Sequence, residues 1–208
     1  LRALRTYELY AVRKKYVGVE FESVALSVRV GSPRPSTPCI LTTDELGKLF
    51  SVAEKSQVTY IAMMAFCGLR RAEFERMTAA NFSLADKLCF VTAEIAKKGE
   101  RRVIEIPEVA LLWIALGGLP EKPTSKRLIE SVTAPDRLKK VGLVWKQNAL
   151  RHSFCSYHLA LHRNAALTSE LAGNSPQMLS RHYKALVTPL AAKEWFELSP
   201  KQVPKFSS

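Results

Sequence analysis

Four short stretches of this 208-residue chain hold side chains able to act on an anionic phosphorus centre. They are Gly68-Leu-Arg-Arg-Ala-Glu73, the pair Lys97-Lys98, Asn148-Ala-Leu-Arg-His152, and Gly173-Asn174 with Tyr183 nine residues later. Arginine offers a planar, permanently protonated fork that matches oxyanions two-to-two. A tyrosine oxygen that has lost its proton is a nucleophile, and its attack leaves a covalent intermediate. Lysine can give a proton to a departing oxygen. Attack on a phosphodiester passes through a pentacoordinate transition state with extra negative charge on the non-bridging oxygens. Fixed cations that answer such charge are usually the largest catalytic term, about 2.7–4 kcal/mol per donor removed. No carboxylate cluster suited to Mg²⁺ stands out, so neither a metal nor another cofactor is expected.

The elements that must position these groups read as mostly helical. Thr42-Thr43-Asp44-Glu45 supplies an N-cap and acidic residues for a first turn, predicting a helix to about residue 55. Residues 58–66 are almost all apolar, so a second helix there should be buried, stopping at Cys67-Gly68. A third should open near Arg70 and run through Met77. The period then changes: residues 87–92 and 102–106 read as strands, joined into a hairpin by the polar Lys97-Lys98-Gly99-Glu100 connector. Helices are expected over 108–116, 124–132, 134–141, 147–161 and 165–171. Two more should open at Ser175-Pro176 and Thr188-Pro189, each with proline in its first turn. Trp113 and Trp145 read as core. The fold class predicted is mostly α with a small antiparallel β-sheet, an α+β domain.

At the front, residues 1–22 look helical, and the proline-rich Gly31-Ser-Pro-Arg-Pro-Ser-Thr-Pro38 reads as a linker. The expected organisation is a truncated helical segment over 1–30, a linker over 31–38, a main domain over 39–198 and a loose tail over 199–208. The chain opens on Leu and is expected to be a fragment of a longer protein. The formal net charge is +12, which suits a polyanion, whether nucleic acid or an anionic membrane surface. The longest apolar runs are too short to span a bilayer, so no membrane insertion is expected. Cysteines 67, 89 and 155 sit in apolar runs without a Cys-x-x-Cys pair, and are expected as buried free thiols in a reducing compartment. A cytoplasmic protein is the expectation.

Taken in order, with a strand hairpin between the two arginine motifs, the set resembles the catalytic domain of the tyrosine recombinase (phage integrase) family over residues ~37–198. The resemblance implies a DNA breaking–rejoining enzyme of a mobile genetic element, working through a 3′-phosphotyrosine without ATP. It implies Arg70 and Arg151 as the phosphate-binding arginines, Lys97 as the general acid (Lys98 is one residue away) and Tyr183 as the nucleophile. Glu73 would brace the site, with His152 in a supporting place. Asn148 stands where the family usually carries histidine, and Asn174 where it carries histidine or tryptophan. An amide can hydrogen-bond a phosphate but cannot shuttle a proton near neutral pH, so Tyr183 lacks its usual helper. Adjacent positions on a helix do not face the same way, so His152 and His182 are expected to point away from the site. Arg71, Lys98, Arg101 and Arg181 are the expected DNA-backbone contacts.

The resemblance further implies that residues 1–30 end a helical DNA-clamp domain, that duplex DNA is the partner, and that a tetramer assembles on it through the C-terminal segment. The Trp195-Phe196 pair could instead pack on its own domain. Two other functions share these residues: a degenerate integrase that binds DNA without cutting, and a topoisomerase of type IB.

Overall fold

The computed structural model describes residues 2–18, 38–96, 99–183 and 186–206. Contacts divide the chain into two units, Leu1–Ser36 and Thr37–Ser208. In the first, helix α1 (Arg2–Arg13) leaves Tyr7 and Tyr10 exposed. The linker expected over 31–38 lies outside the described residues except for Pro38.

In the second unit, α2 (Thr43–Val52) opens on the expected cap: Thr42 Oγ1 accepts from the Glu45 amide at 3.1 Å while the Glu45 carboxylate accepts from the Thr42 amide at 2.7 Å. Next comes α3 (Lys55–Phe66), buried on every side from Gln57 to Phe66, as its unbroken apolar run requires. Its partner is α5 (Glu108–Gly117), whose Trp113 lies flat on Phe50 of α2, ring centroids 3.7 Å apart. Between them sit α4 (Arg71–Phe74) and a three-stranded antiparallel sheet, β1 (Phe82–Ser83), β2 (Leu88–Val91) and β3 (Arg102–Glu105), in the order β1-β2-β3. Two short helices, α6 (Lys126–Val132) and α7 (Pro135–Lys139), lead to the long α8 (Ala149–His162). Then follow α9 (Ala165–Ala172), α10 (Pro176–Tyr183) and α11 (Pro189–Glu197). The mostly α fold with one small antiparallel sheet is as expected. Among the described residues no helix is long and apolar enough to cross a membrane.

Three expectations are corrected, and one open alternative is decided. The helix opening at Arg70 ends at Phe74 rather than running through Met77, which is buried in the turn that follows. The hairpin is extended by β1, too short for an alternation to be visible. The tail is not loose: Val203 is buried, Phe206 meets the edge of Trp113, and Lys205 Nζ donates to the Ala53 carbonyl. The C-terminal aromatics pack on their own domain. Trp195 is fully buried, stacks on Tyr157 at 4.3 Å and donates its indole N–H to the Ala65 carbonyl at 3.0 Å; Phe196 lies half-buried against Phe66. Cys67, Cys89 and Cys155 are buried free thiols, whereas Cys39 is exposed.

Candidate active site

The chain reverses sharply at Gly68, which has φ +65°, a left-handed conformation that glycine adopts without penalty. The space is equally demanding, because a Cβ there would meet Phe154 Cδ1 at 2.2 Å. This turn delivers Arg70 to the N-terminal end of α4. Arg70 is fixed from below by Glu73, which is 1% exposed: Nη1 donates to Oε1 at 2.8 Å, and the Arg70 amide donates to Oε2 at 2.9 Å. Glu73 thus holds Arg70 through both its side chain and its backbone amide.

Glu73 also holds a residue not anticipated from the sequence. Arg102 reaches it bidentately, Nη1 to Oε1 at 3.0 Å and Nη2 to Oε2 at 2.6 Å. Arg102 pairs with Val91 in the β2–β3 ladder, and Val91 and Ile104 are buried while Val103 and Glu105 are exposed. The signal was in the alternation: in Arg102-Val-Ile-Glu-Ile106 the arginine shares its phase with two core isoleucines. A cation on the inner face of a strand needs a buried partner. Burial alone would raise the Glu73 pKa, but the guanidiniums of Arg102 and Arg70 and the Arg70 amide hold it below the ordinary value.

The second arginine, Arg151, lies in the first turn of α8 and is 9% exposed. Its guanidinium donates to the carbonyls of Gly68 and Ala172 and, at 2.9 Å, to Asn174 Oδ1. Burial, aided by the like charges of Arg70 and Arg102, pushes its pKa down to about 10, which still leaves it a cation at neutral pH. Arg70 donates to Gly173 O, and Arg102 Nε to Leu171 O at 2.9 Å. So the last carbonyls of α9 and its cap, which a helix leaves without internal partners, each accept from one arginine. Cations at that end also meet the negative pole of the helix.

Gly173, the left-handed cap at φ +61°, leaves room for this arrangement. A Cβ there would stand 2.9 Å from Arg70 Nη1 and 3.3 Å from Arg102 Nη1. Gly173→Ala should therefore cost about 1–2 kcal/mol of stability for the left-handed backbone alone. It should also displace Arg70. A melting curve and a phosphate-analogue titration on the same variant check the two effects separately.

Asn174 lies half-buried, with Oδ1 facing Arg151 Nη2 and, at 3.4 Å, Arg70 Nη2. Because a guanidinium can only donate, the amide oxygen must face it, which leaves the NH₂ of Asn174 to donate elsewhere. Asn148 takes a left-handed conformation (φ 58°) just before α8, with its side chain exposed and without a capping hydrogen bond.

Tyr183 ends α10 and is buried against Leu179, Cys155, Phe154 and Ala172. Burial raises its pKa to about 12, the Cys155 thiol acting in the same direction and Arg151 against it. Its hydroxyl lies 2.6 Å from His152 Nδ1. This overturns the expectation that His152 points away. Arg151 and His152 are about 100° apart around α8, yet α10 approaches from the side that His152 faces. Burial first, then Arg151 and His182, lower the pKa of His152. His182 itself is half-buried.

Arg70, Asn148, Arg151, His152, Asn174 and Tyr183 all line one cleft of 580 Å³. Arg71, expected on DNA, is engaged by Glu75 at 2.8 Å and Glu130 at 3.2 Å. Arg101 and Arg181 are exposed. Lys97 and Lys98 lie outside the described residues; Ala96, just before them, lines a hollow shared with Arg70, Arg101 and Arg102.

No protein-family model matches this chain, and no characterised protein matches it by sequence. Solved structures do match in fold. The XerA recombinase superposes with a TM-score of 0.60 at 18% identity, over 94% of this chain and 81% of that one. The catalytic domain of bacteriophage HP1 integrase gives 0.53 at 16% identity, over 69% of this chain and 86% of that one. The Tn1549 transposon integrase in complex with a circular intermediate DNA gives 0.58 at 13% identity, over 95% and 77%. The chain has the tyrosine recombinase catalytic-domain fold.

Proposed function

We propose that this chain, starting from that fold, is the strand-exchange part of a site-specific DNA recombinase or integrase. It would cleave and rejoin duplex DNA through a 3′-phosphotyrosine at Tyr183. The observation that carries the reading is the shared cleft, in which two arginines, two asparagine amides and a buried tyrosine face one space. Without DNA, Arg70 and Arg151 donate to backbone carbonyls and to Asn174; a scissile phosphate would offer them anionic acceptors, and charge-assisted bonds are the stronger kind. The charge that develops on the non-bridging oxygens would be met by groups already fixed: Arg70 by Glu73, and Arg151 by the Gly68 and Ala172 carbonyls and Asn174. Asn174 and Asn148 would each contribute an amide hydrogen bond to the phosphate. Lys97, or its neighbour Lys98, would protonate the leaving 5′-oxygen. Attack by another 5′-hydroxyl on the phosphotyrosine then releases Tyr183 and joins DNA, the bond energy having been conserved.

The net charge of +12 supports a polyanionic partner, with exposed Arg101 and Arg181, and Lys98, along the DNA backbone. Residues 1–30 would end a helical DNA-clamp domain, and the protein would work on the nucleoid as a tetramer.

The test uses a pool of nicked duplexes of randomised sequence, in which cleavage near the nick frees a short oligonucleotide and traps the protein. The wild-type chain should give a covalent adduct resistant to denaturant, and Tyr183→Phe none. Equal adduct from both, or none from the wild type, overturns the reading.

A further inference from the structure

The proposed chemistry needs a group to take the tyrosine proton, and the two asparagines cannot do so. The hydroxyl of Tyr183 is 2.6 Å from His152 Nδ1, with the rings 5.7 Å apart and inclined by 33°. That is a short hydrogen bond between a would-be nucleophile and the one kind of side chain suited to proton transfer near neutral pH. The two groups come from different helices, α8 and α10, and both are walled in: Tyr183 by Leu179 and Cys155, His152 half-buried beside it. We infer that His152 is the general base of the cleavage step and the general acid of the joining step.

The inference rests on the recombinase reading. In cleavage, the Tyr183 oxygen bonds to phosphorus as its proton passes to Nδ1 of His152. The bond from phosphorus to the 5′-oxygen breaks, and that oxygen takes a proton from Lys97 or Lys98. In joining, an incoming 5′-hydroxyl attacks the phosphotyrosine and gives its proton to the lysine, while the imidazolium returns its proton to the departing tyrosine oxygen. Atoms and charge balance over the cycle, and His152 ends as it began.

For this role the imidazole must be neutral before DNA is cut. The titratable and charged groups around His152 are Arg151 on its own helix and His182 and Tyr183 on α10, with Arg70, Arg71, Glu75, Arg76 and Lys126 lining the same cleft, while Glu73 is engaged by Arg70 and Arg102. Burial and Arg151 keep the proton affinity of His152 below the ordinary value, so the base form prevails at neutral pH. The direction fits Tyr183 as well: with its pKa near 12 the phenol stays protonated until attack begins, so its proton must leave during that step.

The experiment measures the rate of adduct formation against pH, on a sequence captured from the nicked-duplex pool. Wild type should rise with pH through the imidazole range and then level off. His152→Gln should be slower by roughly 10²–10⁴-fold and lose that rise. His152→Ala should regain rate on addition of free imidazole. A parallel readout without DNA is the ¹⁵N shift of His152 Nδ1, which should move in Tyr183→Phe. If His152→Gln keeps the wild-type pH profile and imidazole does not help His152→Ala, the inference is overturned and the recombinase reading stands. If the wild type forms no adduct, both fall.

Discussion

Glu73→Ala should be among the most damaging single changes in the chain, costing about 3–5 kcal/mol of stability and the adduct as well. The carboxylate is 1% exposed and holds two guanidiniums, those of Arg102 (8% exposed) and Arg70. Removing one partner of a buried ion pair leaves the other charge without compensation, which is where that magnitude comes from. Urea denaturation gives the number. A loss under about 1 kcal/mol would mean that water reaches the arginines and that the carboxylate is not central. The pair should also be non-additive: adding Arg102→Met to Glu73→Ala should recover part of the loss, since the stranded cation is then gone. The pH dependence has a definite sign. The pKa of Glu73 is held below the ordinary 4.5, so its contribution is complete above that value and is lost as pH falls through the lower folded one. Acid should thus loosen the site below about pH 4.5.

Arg151→Ala should behave differently. Adduct formation should fall by about 10²–10³-fold while binding of duplex DNA stays close to wild type. Arg151 is nearly buried and bonded to Gly68, Ala172 and Asn174, so it can reach only a phosphate that enters the cleft. An exposed residue such as Arg181 should give the opposite result, with weaker binding and a salt dependence reduced by about one counterion. Stability should move less in Arg151→Ala than in Glu73→Ala, because two effects oppose. Three acceptors lose a donor, but a cation with its pKa depressed to about 10 by burial no longer has to be kept from water. Filter binding over a salt series, set beside the adduct assay, separates these outcomes.

Much of this was readable in the sequence where a local rule has one solution. The apolar run of α3 could only be buried, Thr42 and Glu45 form the box that their spacing allows, and Gly173 ends α9 as a left-handed cap. What escaped depends on contacts between distant segments. The approach of α10 to α8 decides that His152 meets Tyr183, and spacing within α8 is silent on that. Arg102 looked like one more basic residue of a hairpin until its strand phase was set beside Glu73, 29 positions earlier. The tail from Ser199 reads as polar, yet Val203 and Phe206 find the α5 side of the core, guided by the indole of Trp113 and its bond to the Leu198 carbonyl at 2.8 Å.

The end of α9 carries one more consequence. Leu171, Ala172 and Gly173 give their carbonyls to Arg102, Arg151 and Arg70 in turn, so three cations from three different elements share a single turn as their anchor. Fraying of that turn would scatter all three together, while the layer of α3 against α5 remained closed. Activity and folding would then part company, with the cleft disassembling in a local opening well before the domain unfolds. A phosphate bound between Arg70 and Arg151 would oppose that opening, so occupancy of the cleft should tighten a helix that need not touch the DNA.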